Sequence, residues 1–299
     1  MKSNKAVWQM SIAMLLSGTI GWIVLLSGQS PETVVFFRCV IGAISLLALV
    51  SWQSKWQAMN GASLRWVVGG AIALILNWLF LFSAYRYSGV GLTTVIYHVQ
   101  PFFLIIMSAI AQRELPSKVK IVGLLIAFLG VIMTADLHFD ADNAAMTLGA
   151  LLALAAAFLY AIATLATRQL KQFDSAQIAG IQLFIGAVSL LPLLHFDIAT
   201  FSSQTWSALI TLGLVHTAFM YKLMYAAFQK LPAASLASLS YIYPVVALLV
   251  DVLFLNTELN DWQWYGMLLI ILAVFTNQQS ERLTSWWRSI FMQAKQEKI

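Results

Sequence analysis

Ten apolar runs, each close to the length of a bilayer crossing, fill this chain and leave almost nothing between them. They cover residues 7–27, 31–51, 66–85, 90–110, 118–135, 146–168, 176–194, 206–228, 233–255 and 262–279. Roughly 20 helical residues cross a hydrocarbon core. Backbone surrounded by lipid must bond its own polar groups, so each run is a helix or a barrel strand. Runs this long, without alternation at period two, predict helices. The connections leave no room for a soluble domain. Only 10% of the 299 residues are charged, whereas soluble domains carry about 25%. The expectation is an all-α membrane protein with ten transmembrane helices, its partner the lipid bilayer. The net charge of +5 then argues for no nucleic-acid partner; it matters through where the charges fall. Cys39 is the single cysteine, which excludes an internal disulfide and a multi-thiolate metal site. The first run, Val7 to Ser27, is followed by no small-residue cleavage pattern, so it reads as a retained span.

Lysine and arginine set the orientation, because cytoplasmic loops are enriched in them. With the N-terminus inside, 14 of the 17 basic residues fall on the cytoplasmic side, among them Lys55, Arg65, Arg113, Lys118, Arg168 and Lys230. Arg86 alone is outside, and Arg38 and Lys222 lie within runs. The outer connections carry acid instead: Asp136, Asp140, Asp142, Asp197, Glu258 and Asp261. Both termini are therefore expected in the cytoplasm, the protein lying in the cell (inner) membrane.

The chain also repeats itself. Ile41-Gly-Ala-Ile-Ser-Leu-Leu47 returns as Ile185-Gly-Ala-Val-Ser-Leu-Leu191, a shift of 144; Ala84–Pro101 returns as Ala227–Pro244, a shift of 143 that also carries Gly123 onto Gly266. Several matches in order at nearly one shift divide the chain into a repeat over 1–135, a second over 146–279 and a tail over 280–299. Five spans per repeat is an odd number, so the second half enters the membrane upside down. Two inverted five-helix repeats rocking about a midplane site are a transporter device.

These residues together resemble the EamA family of the drug/metabolite transporter superfamily. The resemblance rests on Arg38, the Ala84–Pro101 segment, Glu114 with Gly123 and Gly130-Val131, and their echo in Ala227–Pro244, Glu258 and Gly266; it covers Val7 to Gln279. It implies export of small organic molecules, including amino acids and toxic amphipathic compounds. A Trp-Gly pair common in the family's first span reads Ser17-Gly18 here, and the first outer connection is short, so no single relative's substrate carries over.

The polar groups inside the runs point to where a substrate sits. Proline cannot donate to the carbonyl four residues back, so Pro101 frees the carbonyl of Tyr97 and Pro244 that of Ser240. Broken helices are tolerated where the freed groups meet protein or water in a cavity. Tyr97, His98 and Gln100 flank the first break at mid-depth, and Tyr241 is the repeat partner of His98. Their bland reading is a curved packing helix. Arg38 either grips a substrate carboxylate or holds the fold together; Lys222 either reaches the cavity or snorkels to the cytoplasmic surface. His216 and Trp22 complete the candidate substrate-binding set of Arg38, Tyr97, His98, His216, Lys222, Trp22 and Tyr241. Asn77 reads as a cross-helix bond, and Asp251 as a proton relay or a half-solvated end residue. Protons are the candidate coupling ion. Leu283, Trp286, Trp287, Ile290 and Phe291 fall on one face of the tail, which reads as an amphipathic helix on the cytoplasmic surface.

No His-Glu-x-x-His, Gly-x-Ser-x-Gly or phosphate-loop pattern occurs, so neither an enzyme nor a direct ATP drive is expected, and nothing calls for a cofactor. Two cargo classes stay open. One is amino acids with aromatic or bulky apolar side chains, drawn by Arg38 or Lys222. The other is cationic amphipathic compounds, drawn by Asp251 or by aromatic faces.

Overall fold

The computed structural model describes residues 2–113, 116–135, 144–194, 198–255 and 258–296, with side chains in the last helix as far as Gln279. All regular structure among them is helical. In chain order the helices are α1 (Lys2–Ser27), α2 (Pro31–Trp52), α3 (Gly61–Tyr97), α4 (Gln100–Gln112), α5 (Lys118–Thr134), α6 (Ala144–Arg168), α7 (Ser175–Leu190), α8 (Ser203–Gly213), α9 (Met220–Phe228), α10 (Ala233–Ser240), α11 (Ile242–Leu255) and α12 (Asp261–Gln296). Leu214–Phe219, between α8 and α9, is a π-helical segment. Among the described residues, seven segments are long and apolar enough to cross a membrane: Asn4–Ser27, Pro31–Trp52, Gly61–Gly89, Gly91–Ala111, Ala144–Arg168, Ser203–Phe228 and Ala233–Leu255. Ser175–Leu190 is a shorter apolar helix. The protein is an integral membrane protein.

Helix starts are set by short polar side chains in the connections. Ser30, Asn60, Ser117, Asp174 and Ser202 accept from the backbone N–H of Thr33, Ser63, Lys120, Ala176 and Thr205 at 3.3, 2.8, 3.4, 2.9 and 3.1 Å. Each satisfies an N–H that the first helical turn leaves without a partner. Where the sequence separates runs at 85–90, α3 is broken at Gly89, which takes φ 72° and ψ 169°, a conformation glycine reaches without a Cβ penalty, so Gly61–Gly89 and Gly91–Ala111 are separate membrane-length segments. Further interruptions come at His98–Val99 before Pro101 and at Tyr241 before Pro244.

The two halves interlock. α3 packs on α6, α5 on α12, α2 on α7, α1 on α11 and on α8–α9, and α4 on α6, whereas α2 and α3 barely touch. These contacts are reciprocal under the repeat shift. A Cβ on Gly42 would lie 3.0 Å from Leu183, and one on Gly186 would lie 2.8 Å from Cys39; a shift of 144 carries 39 to 183 and 42 to 186. Gly123 faces Asn277, and a Cβ on Gly266 would lie 2.9 Å from Thr134, the pair reached by a shift of 143. At the α5–α12 crossing Gly130 meets Gly266 backbone to backbone, with 2.7 Å from an added Cβ on either to the other's carbonyl oxygen.

The tail is continuous with α12 as helix to Gln296 rather than a separate element. The face its Leu283, Trp286, Trp287, Ile290 and Phe291 present lies outside the described residues, as do Glu114, Asp136, Asp140, Asp142 and Asp197.

Candidate functional site

The helix interruptions before Pro101 and Pro244 meet. His98 ends α3 with φ −73° and ψ 5°, and its repeat partner Tyr241 ends α10 with φ −73° and ψ −4°, so both positions leave their helices in the same way. The Tyr241 hydroxyl donates to the His98 carbonyl at 3.2 Å. Trp78 and Tyr221 are also 143 residues apart, and their rings meet edge to face at 5.7 Å. A residue that touches its own repeat partner lies on the axis relating the halves, so these two pairs mark that axis through the middle of the bundle.

Around it is a cavity of about 760 Å³, within the range of small-molecule sites. Its wall is largely aromatic and aliphatic: Trp22, Trp78, Tyr85, Tyr97, Tyr160, Tyr221 and Tyr243 face it, with Arg38, His98, Gln100 and Asp251 as polar groups. Tyr97 packs edge-on to Tyr160 at 6.1 Å, His98 stacks on Tyr243 at 5.4 Å, and Trp22 stacks on Phe254 at 4.3 Å. The cavity reaches the surface beside Arg86 and Leu255, where Arg86 pairs with Glu32 at 3.2 Å.

Arg38 is 3% exposed and, among the described residues, has no carboxylate partner. Its Nε donates to Thr217 Oγ1 at 3.0 Å and Nη2 to the His216 carbonyl at 3.3 Å, while the guanidinium lies 4.7 Å over the Trp78 ring. The π segment makes this possible. Two of its side chains also reach carbonyls five residues back, Thr217 Oγ1 to Leu212 at 2.8 Å and His216 Nδ1 to Thr211 at 3.3 Å. The wider turn leaves the His216 carbonyl able to accept from outside the helix. One edge of the guanidinium thus ties α2 to the π segment, and Nη1 remains for the cavity.

The other candidates separate. Trp22, Tyr97 and His98 line the cavity with Arg38, whereas Tyr241, fully buried, supports the floor through the His98 carbonyl. His216 is turned away: its Nε2 lies 2.8 Å from Thr19 Oγ1, which joins α1 to the π segment. Lys222 is not on the wall, and its carbonyl accepts from Ser175 Oγ at 3.0 Å. Asn77 donates from Nδ2 to the Ala156 carbonyl at 2.7 Å and to the Tyr97 hydroxyl at 3.2 Å, so it is the cross-helix bond expected and also orients Tyr97. Trp78 and Tyr85 were not singled out from sequence. The repeat register contained the signal for Trp78, since a shift of 143 lands it on Tyr221.

The far end of the bundle is closed by hydrogen bonds. The Tyr225 hydroxyl donates to Gln182 Oε1, Arg168 Nη1 to the Leu231 carbonyl at 2.7 Å, and Gln229 Nε2 to the Leu170 and Phe173 carbonyls at 2.9 and 3.1 Å.

Comparison with known proteins places this architecture. The model of the EamA-like transporter family matches residues 4–135 and 147–277, so the chain belongs to that family and is a transporter. Among relatives, the uncharacterized transporter YxxF of Bacillus subtilis is 24% identical over 273 residues, 90% of this chain and 88% of its own. The uncharacterized transporter YwfM of the same organism is 25% identical over 289 residues, 94% of this chain and 96% of its own. A probable amino-acid metabolite efflux pump of Salmonella typhimurium is 26% identical over 214 residues, 66% of this chain and 71% of its own. A solved crystal structure superimposes on 94% of this chain and 99% of its own with a TM-score of 0.81 at 20% identity, which shows a shared fold.

Proposed function

We propose that the chain is a secondary exporter of small organic metabolites, with aromatic and bulky apolar amino acids as the cargo its cavity fits best. One observation carries this reading: an aromatic-walled cavity of about 760 Å³ ends on a buried arginine whose partners are all neutral. An aromatic side chain fills the wall, and a planar guanidinium with donors to spare takes the carboxylate. The Salmonella relative, a probable amino-acid metabolite efflux pump, supports amino-acid metabolites as the broader cargo class. Asp251, on the wall with no hydrogen bond or ion pair to another described residue, favours the second reading, cationic amphipathic compounds, and makes protons the candidate coupling ion.

The reciprocal contacts across the halves support ten crossings arranged as two inverted five-helix repeats, with alternating access about the Trp78–Tyr221 and His98–Tyr241 axis. The basic bias puts both termini in the cytoplasm of the inner membrane. Cys39 is buried, so an introduced cysteine reports cleanly. A cysteine at Asp140 is expected to react with an impermeant maleimide from outside intact cells, and one at Gln57 only after permeabilisation. The reverse pattern overturns the orientation.

The test of cargo is counterflow in proteoliposomes across amino acids, their decarboxylated amines and cationic dyes. Uptake of labelled phenylalanine or tryptophan above empty liposomes is expected; uptake of dyes and amines without acids supports the second reading instead.

A further inference from the structure

The geometry points to the second ring nitrogen of His98, Nε2, as the hydrogen-bond acceptor for an N–H of the cargo. It is thus the element of the site that selects a protonated amine over a fully alkylated one. This rests on the small-molecule reading above and deepens it by assigning the amine end.

Every other part of His98 is occupied. Its Nδ1 lies 2.6 Å from the Thr94 carbonyl. A carbonyl only accepts, so Nδ1 carries the hydrogen, and the alternative ring placement would put a carbon at that distance. Its carbonyl is taken by the Tyr241 hydroxyl at 3.2 Å. Its ring face rests on Tyr243, 5.4 Å away and 9° from parallel, which fixes the plane. In the neutral imidazole one nitrogen donates and the other accepts, so Nε2 is left as a lone pair of set direction.

That lone pair faces the cavity. No described protein group bonds Nε2. The side-chain atoms that are both sealed and without a partner among the described residues are Gln9 Oε1, Asn77 Oδ1, Ser108 Oγ and Ser238 Oγ. Nε2 is not one of them, and the space that His98 lines is the cavity. Arg38 offers only donors, so it cannot take a cargo N–H. Asp251 attracts positive charge whether or not it carries hydrogen. His98 therefore supplies what neither charged residue does: a neutral, fixed acceptor. By helical rise it sits about 13 Å below the break at Gly89, and Arg38 about 10 Å below the start of α2.

The probe pair that isolates this role is phenylalanine against its N,N,N-trimethyl betaine, which keeps the positive charge and removes every N–H. Competition against labelled substrate in proteoliposomes gives the affinity ratio of the two. The wild type is expected to prefer phenylalanine. His98→Phe keeps the ring on Tyr243, and His98→Asn keeps an amide for Thr94 but is too short to set its oxygen at the place of Nε2; neither has an acceptor there, and both are expected to lose about tenfold of that preference. His98→Gln places an amide oxygen near the position of Nε2 and is expected to retain most of it. Bulk alone penalises the betaine in every variant, so only a fall in the ratio counts. The inference is overturned if a folded His98→Phe or His98→Asn keeps the wild-type ratio, or if the wild type shows no preference while transporting phenylalanine. If phenylalanine is not a substrate at all, the amino-acid reading fails by itself. Phenethylamine and its trimethyl derivative then decide the acceptor role by the same ratio.

Discussion

Arg38→Lys is expected to cut transport of carboxylate-bearing cargo roughly 10- to 100-fold while leaving the matching amines within a few-fold. Lysine keeps the charge but has no planar fork. It cannot hold Thr217 Oγ1 and the His216 carbonyl and still present a free edge to the cavity. Each lost bond to a charged group is worth about 1.5–3 kcal/mol, and about 1.4 kcal/mol is a factor of ten. Because the same bonds tie α2 to the π segment, a lower melting temperature in detergent is expected as well. The two effects are separable by Thr217→Val, which removes the Nε bond, one of the two ties, and leaves the cavity edge of the guanidinium intact. It should lower the melting temperature and spare the preference for acids. If Arg38→Lys and Thr217→Val behave alike in both measurements, the arginine is a structural strut and the carboxylate assignment falls.

Gly266→Leu is expected to abolish accumulation of folded protein. Its first side-chain atom would lie 2.7 Å from the Gly130 carbonyl oxygen and 2.9 Å from Met133 Cβ, so one neighbour is backbone and cannot yield by changing rotamer. Extra methylene groups in a packed core cost about 1–3 kcal/mol, and leucine here must first push α5 and α12 apart. Gly69 in α3 has nothing within 4 Å of an added Cβ. Gly69→Ala is the control, expected to be neutral or to gain up to about 1 kcal/mol from reduced backbone freedom. Fluorescence-detected gel filtration of tagged variants reads both. A monodisperse Gly266→Leu peak with parental thermal stability would show that α5 and α12 do not cross at this distance.

What could be read in the chain divides along a physical line. The helices, the breaks before Pro101 and Pro244, and the partnership of His98 with Tyr241 follow from local chemistry and from the repeat, both of which are written along one dimension. The division of labour inside the site does not. His216 and Lys222 were grouped with Arg38 because all are polar in apolar runs. Six residues apart, they already fall on different faces at 3.6 residues per turn, and the π segment at Leu214–Phe219 changes the turn of the helix just there, so spacing does not say which of them meets the cavity. His216 then meets Thr19, and Lys222 is carried off the wall. Arg38 illustrates the same limit. That a buried guanidinium needs partners was clear, but those partners are a hydroxyl and a carbonyl almost 180 residues away in sequence. No pattern in the second span announces them. Trp78 lies between the two cases, since it became legible once the shift of 143 was applied to it.

The contact between Tyr241 and His98 has a consequence for the resting state of the transporter. If the halves were identical, exchanging their conformations would turn an outward-open molecule into its inward-open twin at no change in free energy, and both would be equally populated without cargo or gradient. The residues on the axis are not identical. One donates from a phenol, the other accepts through its main chain, and the swapped arrangement has no phenol at position 98 to return the bond. Under the proposed alternating access, the empty carrier is then expected to favour one side before any substrate arrives, and Tyr241→Phe is expected to relax that bias without touching the cavity wall.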